Sequence, residues 1–301
     1  NMDLLSLPVA ALFVVSMTAA FLSNVFKKSY NNRFPTAFDT QIYISAGGVA
    51  VLLTLFCASR ATAPSLATVL LGCVFGAVTL AHSVCFMKAI ETGSFAYTFV
   101  IVSLSTIIPA ISGVLFWHEK ITVPQIFGLI AFAACILLSV NAEGKAANGE
   151  KTKKKTWILS VSVCFVLSGL VGILQKIHQS SPYAEERIPF LAIAFGIMTV
   201  ASAFGAFAVR ETRVVPRENK AKRYLLKYLL IAVGGIGVGL NNVINLYLSG
   251  VVESAVFFPV VNGGGLALTT LAGVIFFREK LTAKQWAGIA VGILSVLLLC
   301  F

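Results

Sequence analysis

Charge is confined in this chain to short stretches separated by apolar runs of roughly 18 to 25 residues, the length a helix needs to cross a hydrocarbon core about 30 Å thick. Ten such runs cover approximately residues 4–26, 37–58, 66–90, 94–117, 124–141, 156–177, 187–209, 224–249, 254–277 and 284–301. Each is predicted to be a helix. A lipid-facing backbone must satisfy its own hydrogen bonds, and the period-2 polar alternation of a membrane barrel is absent. With 58% hydrophobic and 12% charged residues and a mean hydropathy of +0.90, 301 residues carry too little polar surface to coat a soluble globule. The first run is long for a signal-peptide core and is expected to be retained.

One phrase occurs twice. Gly113 to Gly128 and Gly273 to Gly288 share eight identities in sixteen positions at a spacing of 160 residues. The repeat extends outward: His82 aligns with Asn242, Met87 with Tyr247, Ser94 with Ser254 and, after a shift of register, Lys28 with Lys176. The expected organisation is an all-α integral membrane protein of ten transmembrane helices. It comprises a first five-helix repeat (1–142), a polar basic linker (143–155) and a second, inverted five-helix repeat (156–301), since an odd number of helices per half turns the second half over.

The net charge of +11 reads mainly as a topology signal. Connections after the odd-numbered helices hold 19 of the 23 Lys and Arg, which places them in the cytoplasm and both termini outside. Nucleic acid is not an expected partner, because no folded domain presents these charges; anionic lipid is. The six cysteines lie within or at the ends of runs without CxxC spacing, and His118 and His178 fall near helix ends, so neither a disulfide nor a metal is expected.

Within the duplicated phrase, Thr122 with Gln125 and Thr282 with Gln285 are capping boxes that start the fifth and tenth helices. Glu119 and Glu279 lie between helices. They read as helix-terminus and salt-bridge residues of a tight hairpin, or else as groups that touch substrate or protons.

Two five-helix halves, the Glu-Lys-x-Thr-x-x-Gln-x-x-Gly phrase closing each, and the turn Ala89 to Ser94 together resemble the drug/metabolite transporter superfamily, in its ten-helix EamA-like branch. The resemblance covers essentially the whole chain. It implies alternating access around a central cavity lined by helices 1, 3, 4, 6, 8 and 9, with helices 5 and 10 as buttresses. It also implies cytoplasmic termini, against the charge count.

Polar side chains inside spans are the natural site candidates, because hydrocarbon penalises them unless they face a cavity or a partner helix. Asn241, Asn242 and Asn245 crowd the eighth helix, either to bind substrate or to bond a neighbouring helix. His82, at the position matching Asn242, is a substrate contact or a packing residue. Asn24, Tyr97, Tyr247 and Asn262 complete the candidate substrate set. Pro109, Pro259, Gly263, Gly264 and Gly265 read as gating or hinge positions, because proline frees a helix carbonyl and a run of glycines bends or packs closely; tight packing is the alternative for the glycines.

No nucleophile elbow, P-loop, zinc-protease signature or intramembrane carboxylate pair is present, so an enzyme is not expected and neither is a cofactor. Every Asp and Glu lies near a membrane boundary. A buried acid is the usual proton carrier or cation counter-charge, and without one the expected activity is uniport or exchange of a small neutral or zwitterionic metabolite, amino-acid-like or similar. A flippase for a lipid-linked substrate and a non-transporting scaffold are the alternatives. The expected location is a bacterial cytoplasmic membrane. Oligomeric state stays open, with the monomer favoured.

Overall fold

The computed structural model describes residues 8–30, 37–59, 63–92, 95–139, 151–209, 220–264 and 283–299, and they are helical with short turns, without a strand among them. The helices are α1 (Val9–Tyr30), α2 (Ala37–Ser59), α3 (Leu66–Thr92), α4 (Phe95–Leu104), α5 (Ile107–Trp117), α6 (Val123–Ser139), α7 (Lys151–Gln179), α8 (Arg187–Val209), α9 (Lys220–Leu229) and α10 (Gly235–Val251). Then come α11 (Ser254–Gly264) and α12 (Ala283–Leu299). Among the described residues, four helices are long and apolar enough to cross a membrane by length and composition: Leu66–Phe86, Lys155–Gln179, Arg187–Ala208 and Tyr224–Val251. Several shorter apolar helices accompany them.

Two compact units form, and neither is a half of the sequence. One comprises Asn1–Leu80 with Ile177–Gly250, the other Ala81–Lys176 with Val251–Phe301.

In the first unit α2 runs along α8. Thr199 donates to Ser45 Oγ at 2.9 Å, and Gly48 leaves room for the Phe195 ring. Phe190, Leu191, Ala194 and Phe195 are buried, which is how an apolar helix satisfies its packing face. Between α9 and α10 the chain widens into a π-turn, Leu230–Gly234. That is where α2 comes closest: a Cβ on Gly47 would strike the Ile231 carbonyl oxygen, and one on Gly235 the Gly47 Cα. Two glycine surfaces let the backbones approach to a distance that any side chain would forbid.

The second unit pairs α6 with α12. Ser295 Oγ donates to the Gly128 carbonyl at 2.8 Å, and Gly292 faces Cys135. Pro109 stands in the first turn of α5, where its ring excludes a continuous helix from α4. The break at Ser105 and Thr106 is instead stitched by bonds three residues back, Ser105 N to Val102 O at 3.1 Å and Ile108 N to Ser105 O at 2.9 Å. Where the sequence led us to expect a kinked fourth helix, two helices stand. Polar groups on α4 and beside it reach α7: Trp157 Nε1 donates to Thr98 at 2.9 Å and Ser105 to Ser168 at 2.7 Å.

Candidate functional site

In the first unit α10 carries the amide cluster into the apolar span. Asn241 and Asn245 sit one turn apart and meet Ser16 of α1, which is fully buried. Ser16 Oγ lies 2.8 Å from Asn241 Oδ1 and 2.5 Å from Asn245 Oδ1, and Asn245 Nδ2 donates to Asn241 Oδ1 at 3.2 Å. A serine hydroxyl has one proton to give, so it serves one amide oxygen at a time. The triangle ties α1 to α10 and holds the two amides to each other. Asn242 faces elsewhere and donates to its own helix, Nδ2 to Val238 O at 2.9 Å, and among the described residues it bonds no other helix.

Tyr247 lies near the end of α10 with the Arg187 guanidinium 5.2 Å from its ring centroid, a cation–π distance. Arg187 also pairs with Glu185 at 3.0 Å. Close by, Glu186 caps α3: its carboxylate accepts from Ser65 N at 3.0 Å and from Ser65 Oγ at 2.8 Å. Burial pushes the Glu186 carboxyl up, but hydrogen bonds from Thr68 and Ser65, with His178 nearby, outweigh it and hold the carboxyl below its ordinary range. His178 is buried, stacked on Phe190 with 4.1 Å between centroids.

In the second unit Glu119 is the organising charge. His118 takes the left-handed conformation, φ 54°, which ends α5 and turns the chain back; Glu119 N–H then donates to Gly113 O at 3.1 Å. Lys176 Nζ lies 2.6 Å from Glu119 Oε1, with both side chains about nine-tenths buried. The same carboxylate accepts from Ser254 N at 2.8 Å and from Ser254 Oγ at 3.2 Å, so it sits on the positive N-terminal end of α11. Gly113 leaves the space: a Cβ there would strike Glu119 Oε2 and come within 3.0 Å of Ser254 Cβ. Beside this turn the Thr122 and Gln125 capping box closes in both directions, Thr122 N to Gln125 Oε1 at 2.9 Å and Gln125 N to Thr122 Oγ1 at 3.4 Å.

The remaining candidates divide plainly. His82 is half-buried in the second unit; its ring stacks on Phe86 with 6.3 Å between centroids, and its carbonyl accepts from Cys164 at 3.8 Å. Pro109 packs on Gly172, which also leaves room for Phe258. Pro259 is buried, Asn262 is exposed, and residues 262–264 continue the helix. The sequence suggested an irregular backbone there. Instead Gly263 lets α11 approach Phe132, whose ring would lie 2.9 Å from a Cβ at that position. The side chains of Asn24, Tyr97 and Gln285, together with Gly265, Glu279 and Thr282, lie outside the described residues. Among the described residues no group of three His, Cys, Asp or Glu side chains is placed to hold a metal ion.

Sequence reasoning missed Ser16, Lys176, Ser254 and Glu186 as partners. Only Lys176 and Ser254 left a trace, as repeat-related matches of Lys28 and Ser94.

No curated protein matches the sequence. The fold is similar to that of a solved structure described as a crystal structure of protein, 12% identical, covering 97% of this chain and 98% of that one with a TM-score of 0.75. At that identity the likeness is one of fold alone. The model of the EamA-like transporter family matches residues 6–141, so that this part of the chain is similar to that family.

Proposed function

We propose that the chain is a secondary transporter that moves a small neutral or zwitterionic metabolite by alternating access of two inverted five-helix repeats, by uniport or exchange. The observation that carries the substrate class is the amide row on α10. Asn241, Asn242 and Asn245 stand within a 28-residue apolar span, Tyr224–Val251, that contains no Asp or Glu. Amides offer donors and acceptors without net charge, which suits a solute that also has none. Support for the ten-helix arrangement comes from the long and short apolar helices falling on the ten apolar runs of the sequence. Members of this family are transporters rather than enzymes, and the bacterial cytoplasmic membrane with external termini remains our reading of the charge distribution.

A second reading has its own observation. Asn241 and Asn245 spend bonds on Ser16 and on each other, as they would in a scaffold that transports nothing. Asn242 separates the two. A thermal-shift screen of the purified protein against amino acids, nucleosides, quaternary amines and sugars should find one class that raises the melting temperature, since a ligand that binds the native state stabilises it by mass action. Among the described residues Asn242 bonds only its own helix, so Asn242→Ala should abolish that shift while leaving the unliganded melting temperature within about 1–2 °C, the change expected of roughly 0.5 kcal/mol. A shift that survives Asn242→Ala and His82→Ala overturns the site, and no stabilising class at all overturns the transporter reading in favour of the scaffold.

A further inference from the structure

We propose that Arg187 recognises a carboxylate on the transported solute, and that Glu185 is a built-in placeholder which the solute displaces. The inference rests on the transporter reading above and narrows its substrate class to compounds that carry a carboxylate. Arg187 opens α8 with its side chain only 14% exposed, yet its acidic partner among the described residues, Glu185 at 3.0 Å, is 90% exposed. A cation withdrawn from water needs a counter-charge. An ion pair whose acid stands in water supplies little of it, because the carboxylate is as well hydrated when it leaves. Glu185 lies two positions before Arg187, so the pair ties no helix to another. The neighbouring acid, Glu186, is engaged instead by Ser65 N at 3.0 Å and Ser65 Oγ at 2.8 Å.

The guanidinium is held in place from the protein side. Its carbon lies 5.2 Å from the Tyr247 ring centroid, and Nη1 donates to Gln179 Oε1 at 3.5 Å. An arginine can only donate, so this contact sets the Gln179 amide with its oxygen towards Arg187. The amide nitrogen then donates to Ala184 O at 3.2 Å and to His178 Nδ1 at 3.0 Å. Gly250 makes room for the glutamine: a Cβ there would come within 2.9 Å of Gln179 Cβ and 3.2 Å of its Oε1. Tyr247 and Gly250 share one face of α10 at i, i+3, so that face orients both supports. Tyrosine and glutamine leave the positive charge unneutralised, and a planar fork of this kind fits a carboxylate through two parallel bonds. An arginine that anchors a span to headgroups points outward into water; this one is packed inward on α10. Asn242 precedes Tyr247 by five residues on the same helix, about 7.5 Å deeper in the span. The guanidinium therefore supplies, beside the amide row, the charge that uncharged amides lack.

The test takes the whole protein in detergent and titrates the proteinogenic amino acids, acetate, lactate and benzoate, each against its primary amide, with Kd read from the concentration dependence of the melting temperature. At least one carboxylate should bind wild type about ten-fold or more tightly than its amide, the ratio expected of a charge-assisted bond to a guanidinium. Glu185→Gln, which removes the competing carboxylate, should tighten that ligand by about two- to five-fold. A purely structural Glu185 predicts no gain. Arg187→Gln should bind carboxylate and amide alike; if that variant does not fold, Glu185→Gln and the wild-type ratio still decide. Equal affinity for acid and amide, or a Glu185→Gln variant that binds no tighter, overturns the proposal and leaves the transporter reading standing. The absence of any stabilising carboxylate also overturns it, and the transporter reading falls with it only if uncharged compounds fail as well. Stabilisation by dioleoyl-phosphatidylglycerol that needs Arg187, without any by the soluble carboxylates, would assign the guanidinium to lipid and overturn the proposal too.

Discussion

Removing one partner of the Glu119–Lys176 pair should cost far more than removing both. The pair is 2.6 Å apart and about nine-tenths buried on each side, so neither charge has water to fall back on. Glu119→Gln keeps an acceptor for the Ser254 N–H but strands the Lys176 ammonium, and Lys176→Met strands the carboxylate. A buried charge left without its partner costs about 3–5 kcal/mol. The two variants should differ in degree. After Lys176→Met the carboxylate still accepts from Ser254 N and Oγ and still faces the α11 N-terminus, a compensation worth about 1 kcal/mol, so Glu119→Gln should be the worse of the two. In Glu119→Gln/Lys176→Met no charge remains buried, and the double variant should return to within about 1 kcal/mol of wild type. At roughly 2 °C per kcal/mol for a chain of this size, the singles should lose about 5–10 °C and the double about 2 °C. The assay is apparent melting temperature in detergent at one scan rate, because membrane proteins unfold irreversibly. Losses that simply add, with the double variant worse than either single, would refute the claim that burial couples the two residues.

Two further perturbations follow from the first unit. Glu186 has a folded pKa below its unfolded value, which is about 4.3, so its contribution is present above that pH and is lost as pH falls through the folded value. Thermal stability of wild type should therefore drop in acid below about pH 4.3, and Glu186→Gln should lose about 1 kcal/mol at neutral pH and show a flatter acid limb; parallel curves would exclude the Ser65 cap as the cause. Gly47→Ala should destabilise by about 1–3 kcal/mol or more, because the new Cβ meets backbone on both sides at Ile231 and Gly235, neither of which can rotate away. Gly196→Ala, with nothing within 4 Å, should be neutral or stabilise by up to about 1 kcal/mol; similar melting temperatures for the two variants would show that the α2 crossing tolerates a methyl group.

What could be read in the chain was whatever depends on neighbours in sequence. Long apolar runs determine helices because a membrane leaves the backbone no other partner than itself. Thr122 and Gln125 determine a helix start because both partners of the capping box lie within one turn, and the duplicated phrase carries a resemblance to a transporter family. Pro109 announced an interruption, although whether it would kink the helix or split it depended on how Ser105 and Thr106 could rebond. Partner choice was decided only by the tertiary structure. Ser16 and Asn241 are 225 positions apart and Glu119 and Ser254 are 135 apart; no local pattern links them. The same holds for Asn262 to Gly264. Propensity disfavours a helix there, and the approach of α11 to Phe132 favours one, because a contact that only glycine permits supplies the packing that those residues lack by themselves.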